Sequence, residues 1–312
     1  MKDKKIVLPG GAGLVGHNLV ACLKFNGYSD IVVIDKHQNN LEILKQLHPD
    51  ITTHCADLSV TGDWIRLFES ASTVVMLQAQ IGGNIYSHFS DNNIKSTMLV
   101  IEEIIKNKIS NVVHISSSVV ESIAEDFYTE TKTLQEKLVL ESGILCPILR
   151  PTLMFGWFDR KHLGWLSRFM RQFPVFPVPG NGQYMRQPLY VGDFCNVILS
   201  CIENNITPGI YNISGHEKID YIDIIKSIKT VLRTRTLILH IPVSVFRGLL
   251  SIWSMFDKNP PFTTKQLEAL IIKEEFEVND WPGIFGVKYT PFLEAINVTF
   301  NHPTYSKVTL EF

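Results

Sequence analysis

The sequence predicts an α/β protein built on a doubly wound parallel sheet, with a smaller, discontinuous C-terminal lobe. Three observations predict it. The apolar run Ile6-Val7-Leu8 passes straight into Gly10-Gly11-Ala12-Gly13-Leu14-Val15-Gly16. A second apolar run, Ile31-Val32-Val33-Ile34, ends on the carboxylate of Asp35. Short β-rich runs then alternate with helical patterns up to Leu149, as strands buried on both faces of a parallel sheet require.

The opening unit reads as strand, glycine turn, helix and strand. A turn that tight lets backbone N–H groups approach a pyrophosphate at a helix N-terminus, where the partial positive charge favours an anion. The glycines at 10, 13 and 16 follow a GxxGxxG spacing, with Leu14 and Val15 inside the turn. Asp35 stands about twenty residues on, where a carboxylate accepts hydrogen bonds from ribose hydroxyls. A carboxylate there also repels a 2′-phosphate. The expected cofactor is therefore NAD rather than NADP, with Lys36 next door pulling the other way. The pattern is that of a Rossmann-type dinucleotide-binding fold.

Ile51-Thr52-Thr53-His54 and Thr73-Val74-Val75-Met76-Leu77 are the next predicted strands, followed by a long amphipathic helix over 92–107. Val112-Val113-His114-Ile115 is a further strand, and a helix over 126–142 leads into Leu145-Cys146-Pro147-Ile148-Leu149. Proline and glycine thicken after Pro151, and the segment Phe173 to Gly180 is the clearest break. The lobe boundary is placed near Arg150: residues 1–150 form the dinucleotide domain, and 187–213 return to it. The second lobe takes 151–186 and 214–312. Pro188-Leu189-Tyr190-Val191 and Ile210-Tyr211-Asn212-Ile213 are expected to be strands of the first sheet, and 219–232 an amphipathic helix. Residues 241–256, with Val245, Phe246, Leu249, Leu250, Ile252, Trp253 and Phe256, are unusually apolar. A helix buried in the second lobe is expected there. The alternative is an exposed face lying on a membrane, with Arg247 at its edge.

At 312 residues the chain can bury a large core in two lobes. A net charge of −2 gives no electrostatic case for nucleic acid. Lys2, Lys4 and Lys5 precede too short an apolar run for a signal peptide, and no stretch has the length of a membrane span. Cys22, Cys55, Cys146, Cys195 and Cys201 are scattered, odd in number and without CxxC spacing. They read as reduced core thiols of a cytoplasmic protein, not as a disulfide or metal framework.

Candidate chemistry begins at Ser116-Ser117-Ser118, where a predicted strand ends. Tyr128 and Lys132 are four apart on a predicted helix and so share a face. A phenol is a poor base at neutral pH, but a neighbouring ammonium stabilises the phenolate and lowers its pKa. A serine hydroxyl in reach orients a substrate hydroxyl or carbonyl while the tyrosine moves the proton. Taken alone, such a pair is most often a solvated helix face and a serine triplet a turn. Their order behind a dinucleotide turn is what points to chemistry.

Over nearly its whole length the chain resembles the extended short-chain dehydrogenases/reductases, in particular the NAD-dependent epimerase/dehydratase group acting on sugar nucleotides. Gly10, Gly13 and Gly16 match its glycine turn and Asp35 its ribose-binding acid. Ala56-Asp57-Leu58 resembles the adenine-contacting segment, Leu77-Gln78-Ala79 the strand end beside the cofactor, and Asn93 a helix asparagine. Ser117, Tyr128 and Lys132 align with the catalytic set, which places Tyr128 and Lys132 at the cofactor as well. Arg150-Pro151-Thr152-Leu153-Met154-Phe155-Gly156 is similar to the family's Arg-Pro-x-x-x-Tyr-Gly turn. Gly180-Asn181-Gly182 through Val191-Gly192-Asp193 is similar to its glycine-rich substrate segment. The resemblance implies that Arg186 grips a substrate diphosphate, which suits a planar guanidinium.

The departures narrow the activity. Val120-Glu121-Ser122 replaces the usual Val-Tyr-Gly, and the loop from Ser117 to Tyr128 is short. Ser118 and Val119 occupy the positions of a 4,6-dehydratase's acid and base and perform neither role. Glu121, further along, is the one substitute for them. The resemblance then implies a 4-epimerase passing through a 4-keto sugar, or alternatively an NAD(P)H-dependent reductase of a 4-keto nucleotide sugar. A third reading, of another class, is a non-catalytic dinucleotide-binding sensor or structural subunit. The implied partners are a sugar nucleotide or a polyprenyl-diphosphate-linked sugar, and a second copy in a homodimer. Peripheral contact with the inner face of a membrane would run through 241–256.

Overall fold

The computed structural model describes residues 2–122, 126–204, 206–256, 262–271 and 279–311. β1 (Ile6–Pro9) leads through the glycine turn into α1 (Leu14–Phe25), and β2 (Ile31–Asp35) into α2 (Gln38–Leu47). A short helical turn at Asp63–Phe68 joins β3 (Thr52–Cys55) to β4 (Thr73–Met76). Then come α3 (Tyr86–Phe89), a π-helical turn at Ser90–Lys95, and α4 (Ser96–Lys106). β5 (Asn111–Ile115), α5 (Phe127–Glu141) and β6 (Pro147–Pro151) follow.

Beyond β6 the elements are β7 (Met154–Phe155), α6 (Leu163–Gln172), β8 (Val175–Pro179), β9 (Met185–Arg186) and β10 (Leu189–Tyr190). α7 (Val191–Glu203), β11 (Gly209–Ile213), β12 (Ile219–Asp220), α8 (Tyr221–Leu232) and β13 (Leu237–Ile241) come next. The chain continues through α9 (Val243–Phe256), α10 (Thr264–Ile271), α11 (Trp281–Phe285) and α12 (Phe292–Asn301).

Seven strands form one parallel sheet in the order β11-β6-β5-β4-β1-β2-β3. β1 pairs with β2 through Ile6–Ile31 and with β4 through Ile6–Thr73. The strand order reverses between β1 and β4, so a crevice opens above their carboxyl ends, where doubly wound folds hold their ligands. Strand side chains alternate between two cores. Leu8, Val33 and Val113 face Leu19 and Leu23 of α1 and Phe194 and Val197 of α7. Val7, Ile34 and Val74 face Val100 and Ile104 of α4 and Val139 of α5. A third core joins Leu166 and Met170 of α6, Ile225 and Ile228 of α8, and Ile296 and Phe300 of α12.

Three expectations are corrected. Pro188–Val191 does not enter the large sheet: Leu189–Tyr190 pairs only with β7, and Val191 already begins α7, whereas β11 does join β6. The proline-rich break contains β8, paired through Val175–Leu237 to β13 alone. A strand with a single neighbour loses little to its prolines, because one edge makes no ladder bonds. The apolar helix is not buried. In α9 only Leu250 is buried, while Val245, Leu249, Ile252, Trp253, Met255 and Phe256 are exposed. α9 rests on the neighbouring segment through Phe246 against Phe262, ring centroids 6.2 Å apart, and Arg247 beside Glu268 at 3.8 Å. Among the described residues no helix is long and apolar enough to cross a membrane.

Candidate active site

Packing alone requires glycine at two positions of the turn. Gly10 has φ +75°, and a Cβ there would sit 2.3 Å from the Gln78 Cα, so the turn packs on the backbone at the end of β4. A Cβ on Gly16 would lie 2.0 Å from the Gly11 carbonyl oxygen, so only glycine lets α1 seat against the turn. Gly13 differs: a Cβ there meets nothing within 4 Å. Gly13 caps α1 without a side chain, which leaves the first-turn N–H groups facing that open space. Leu14 and Val15 pack against the core, so what they offer a ligand is backbone.

Asp35 is 8% exposed, and its carboxylate accepts from Ala12 N at 2.9 Å and His37 N at 3.1 Å. Two bonds leave a carboxylate with lone pairs to spare for ribose hydroxyls. The Lys36 Nζ donates to Asn92 Oδ1 at 2.8 Å. Asp57 accepts from Ser59 N at 2.8 Å and Ser59 Oγ at 2.7 Å. Desolvation acts to raise its pKa, but those two bonds win and hold the carboxyl below the ordinary range. Leu58 is a core residue beside Ile34. At the end of β4, Leu77 is half-buried and Ala79 exposed, while Gln78 is 5% exposed with its Oε1 unpartnered. The open face over Gly13, the fixed carboxylate and the unpartnered Gln78 oxygen fit a bound dinucleotide.

The π-helical turn after α3 brings Asn92 and Asn93 to the same crevice. Asn93 is fully buried: its Oδ1 accepts from Gln80 N at 2.6 Å, and its Nδ2 donates to Thr131 Oγ1 at 2.9 Å. It thereby fastens the segment after β4 to α5.

Ser117 follows β5 and caps a short helical turn, its Oγ accepting from Val119 N at 3.4 Å. Asp126 caps α5 through Thr129 N at 2.8 Å, which points Tyr128 back toward Ser117. The Ser117 hydroxyl lies close enough to the phenol to favour its ionised form. Lys132, one turn on, is 1% exposed, and its Nζ donates to Ile115 O at 3.0 Å and to Gln135 Oε1. Burial pushes its pKa down to about 7, against the raising influence of Glu136. The structure therefore sets Ser117 against Tyr128, and puts Lys132 one turn further along α5 with its amine bonded to the end of β5 and to Gln135. It does not show the expected lowering of the phenol: burial raises Tyr128, the Ser117 hydroxyl opposes this, and Asp126 adds to it. Residues 123–125 of the short loop lie outside the described residues.

Arg186 stands in the other lobe, on the β9–β12 ribbon, donating to Met185 O at 2.9 Å and to Leu270 O. Glu121, the alternative acid or base, accepts from Arg150 at 2.6 Å and Asn212 at 3.0 Å. An acid engaged in that way serves the scaffold.

Sequence reasoning missed the layer under these residues. Glu136 accepts from Ser116 Oγ at 2.5 Å and from Arg150 Nε at 3.0 Å. Its spacing of four from Lys132 was the available signal. Gln135 donates to Thr97 Oγ1 at 2.8 Å and Gln78 O at 3.1 Å, and buried glutamines carry no such signal. A shallow depression of about 520 Å³ lies at the opposite end of the sheet, lined by Lys5, Asp30, Arg66 and Glu69, away from this chemistry. Among the described residues no cluster of His, Cys, Asp or Glu could hold a metal ion.

The NAD dependent epimerase/dehydratase family model matches residues 6–214. UDP-glucuronic acid 4-epimerase from Bacillus cereus, solved with NAD, superposes with a TM-score of 0.71 at 21% identity, over 95% of this chain and 97% of that one. The Bordetella bronchiseptica enzyme WbmG, solved with NAD and UDP, gives 0.75 at 15% identity, over 96% and 94%. A curated relative is NADH dehydrogenase [ubiquinone] 1 alpha subcomplex subunit 9, mitochondrial, of Dictyostelium discoideum. It is 24% identical over 268 residues, 83% of this chain and 73% of that protein. The chain belongs to the NAD dependent epimerase/dehydratase family.

Proposed function

We propose that the protein is a sugar-nucleotide 4-epimerase, with Ser117, Tyr128 and Lys132 as its catalytic residues. The observation that carries this reading is the approach of Ser117 to Tyr128 at the end of β5, one turn from the buried Lys132. Bound NAD supplies hydride transfer to and from the sugar carbon. Ser117 orients the C4 oxygen, and Tyr128 takes the proton from that oxygen and returns it. Lys132, one turn along α5, would supply the positive charge that offsets the burial opposing phenolate formation. Gly13, Leu14, Val15 and Gly16 would hold the pyrophosphate through backbone N–H groups. Gly10, whose own N–H donates to Ile34 O at 2.8 Å, would make the turn that lets it approach. Asp35 and Lys36 would flank the adenosine ribose. Asp57 and Leu58 line the adenine side, Leu77, Gln78 and Ala79 the nicotinamide side, and Arg186 the substrate diphosphate.

Tyr128→Phe abolishes turnover of the sugar nucleotide while NAD binding persists; activity surviving within a few fold rejects the mechanism. Denaturing freshly purified protein and identifying released nucleotide separates the alternatives. Retained NAD accompanies epimerisation, whereas a 4-keto reductase must release oxidised cofactor at each turnover.

A second reading is a non-catalytic, NAD-binding structural subunit. The identity of the Dictyostelium relative as an NADH dehydrogenase subunit favours it, as does the raised Tyr128 phenol. Neither turnover nor thermal stabilisation with UDP-, GDP- and dTDP-sugars is its expected result.

We take the protein to be a cytoplasmic homodimer with peripheral contact at the inner face of a membrane. Met98 and Ile105 of α4 and Leu134 and Leu140 of α5 are exposed and would supply the subunit contact, and α9 the lipid contact. Sedimentation with and without vesicles reads both.

A further inference from the structure

We propose that Gln135 is a positioning residue: its side-chain amide holds the Lys132 amine in place and favours its protonated form. The proposal rests on the reading of Lys132 as part of the catalytic set.

Gln135 has no exposure to solvent. Its amide nitrogen donates to Gln78 O at 3.1 Å and Thr97 Oγ1 at 2.8 Å. A backbone carbonyl only accepts, so the amide cannot be turned round, and Oε1 must face Lys132. The Lys132 Nζ lies between Oε1 and the Ile115 carbonyl oxygen. Both partners are acceptors only, and their oxygen dipoles stabilise an ammonium more than a neutral amine. The glutamine thus links the end of β4 to the lysine through direct hydrogen bonds.

The charged groups around Lys132 leave it the one group there that changes protonation near neutral pH. His114 on β5 is fully buried, and burial first, then Lys132, hold it well below 6.5, so it stays neutral. Glu136 on α5 is held below the ordinary carboxyl range: desolvation opposes this, and the Arg150 and Ser116 bonds outweigh it. It stays charged, paired with Arg150 of β6. Tyr128 is raised by burial. Near neutrality, the balance between ammonium and amine at Lys132 is therefore open to the neutral acceptors that touch it.

The test is a pH titration of the full-length protein labelled with ¹³C at lysine Cε, the Lys132 signal being identified by its loss in Lys132→Met. In Gln135→Met the Lys132 midpoint is expected to fall by about one pH unit, a tenfold loss of proton affinity. In Thr97→Val, which frees one of the two anchors of the amide, it falls less and in the same direction. Thr97→Val also carries the test if Gln135→Met does not fold. An unmoved midpoint in the folded variants overturns the proposal, and so does a lower melting temperature with the midpoint unchanged, which is all a structural role would produce. Adding NAD to the wild type separates the two readings. If NAD binds without moving the Lys132 signal, the catalytic placement of Lys132 fails, and the midpoints alone still decide the role of Gln135.

Discussion

Two glycines three residues apart are required for opposite reasons. Gly10 is required by the fold, because a side chain there meets the Gln78 backbone in a left-handed conformation. Gly13 is in extended backbone at φ −88° with open space around its Cβ position, so the fold itself tolerates a side chain. Gly13→Val is therefore expected to cost about 1 kcal/mol through the poorer helix cap. It should weaken NAD binding at least about tenfold by filling the space of the pyrophosphate. Thermal melting and an NAD titration on one preparation check the pair, and intact NAD affinity would place the pyrophosphate elsewhere. Both glycines were legible in the sequence as one motif, but their division of labour was not, since it depends on Gln78, 68 positions away.

At the scale of elements, α5 carries the candidate chemistry on one face: Tyr128, Lys132, Gln135 and Glu136 all point to the end of the sheet. Glu136 and Arg150 form an ion pair with side chains only 6% and 15% exposed. Removing one member of such a pair leaves the other without compensation. Glu136→Gln should destabilise the fold by about 3 kcal/mol, read from urea unfolding; a change below a few tenths would show that water already serves Arg150. The strands from β1 to β6 were legible because each is a short apolar run bounded by turn residues. Tyr128 and Lys132 were legible from their spacing. β10 was misassigned because two residues of apolar character carry no partner information. α9 was misassigned because composition tells that a helix is apolar, not whether a neighbour covers it. The π-helical turn at Ser90–Lys95 was invisible, since one extra residue in a turn leaves the hydrophobic pattern almost unchanged.

Across the whole molecule, buried neutral groups shape the response to pH. Burial holds His17, in the helix behind the glycine turn, down to about 4. Between that value and 6.5 the unfolded chain binds a proton that the folded one refuses. Stability is therefore complete above 6.5 and lost as the pH falls toward 4, by about 3 kcal/mol from this residue. At the other end, burial pushes the thiols of Cys146 and Cys201 up to about 12. The unfolded thiols ionise first, so stability declines above pH 9. Denaturant midpoints taken from pH 4 to 10 check both limbs, and a flat acid limb would show His17 accommodated as a cation. The large sheet itself is finished late. β11, which borders β6, and α7, which covers Leu8 and Val113, come from residues 191–213, after α6 and β8 have been made. A growing chain therefore cannot close the cofactor half until well past its midpoint leaves the ribosome. Until then Leu149 and its neighbours stand bare, and a chaperone that shields apolar strands has its longest task in that interval.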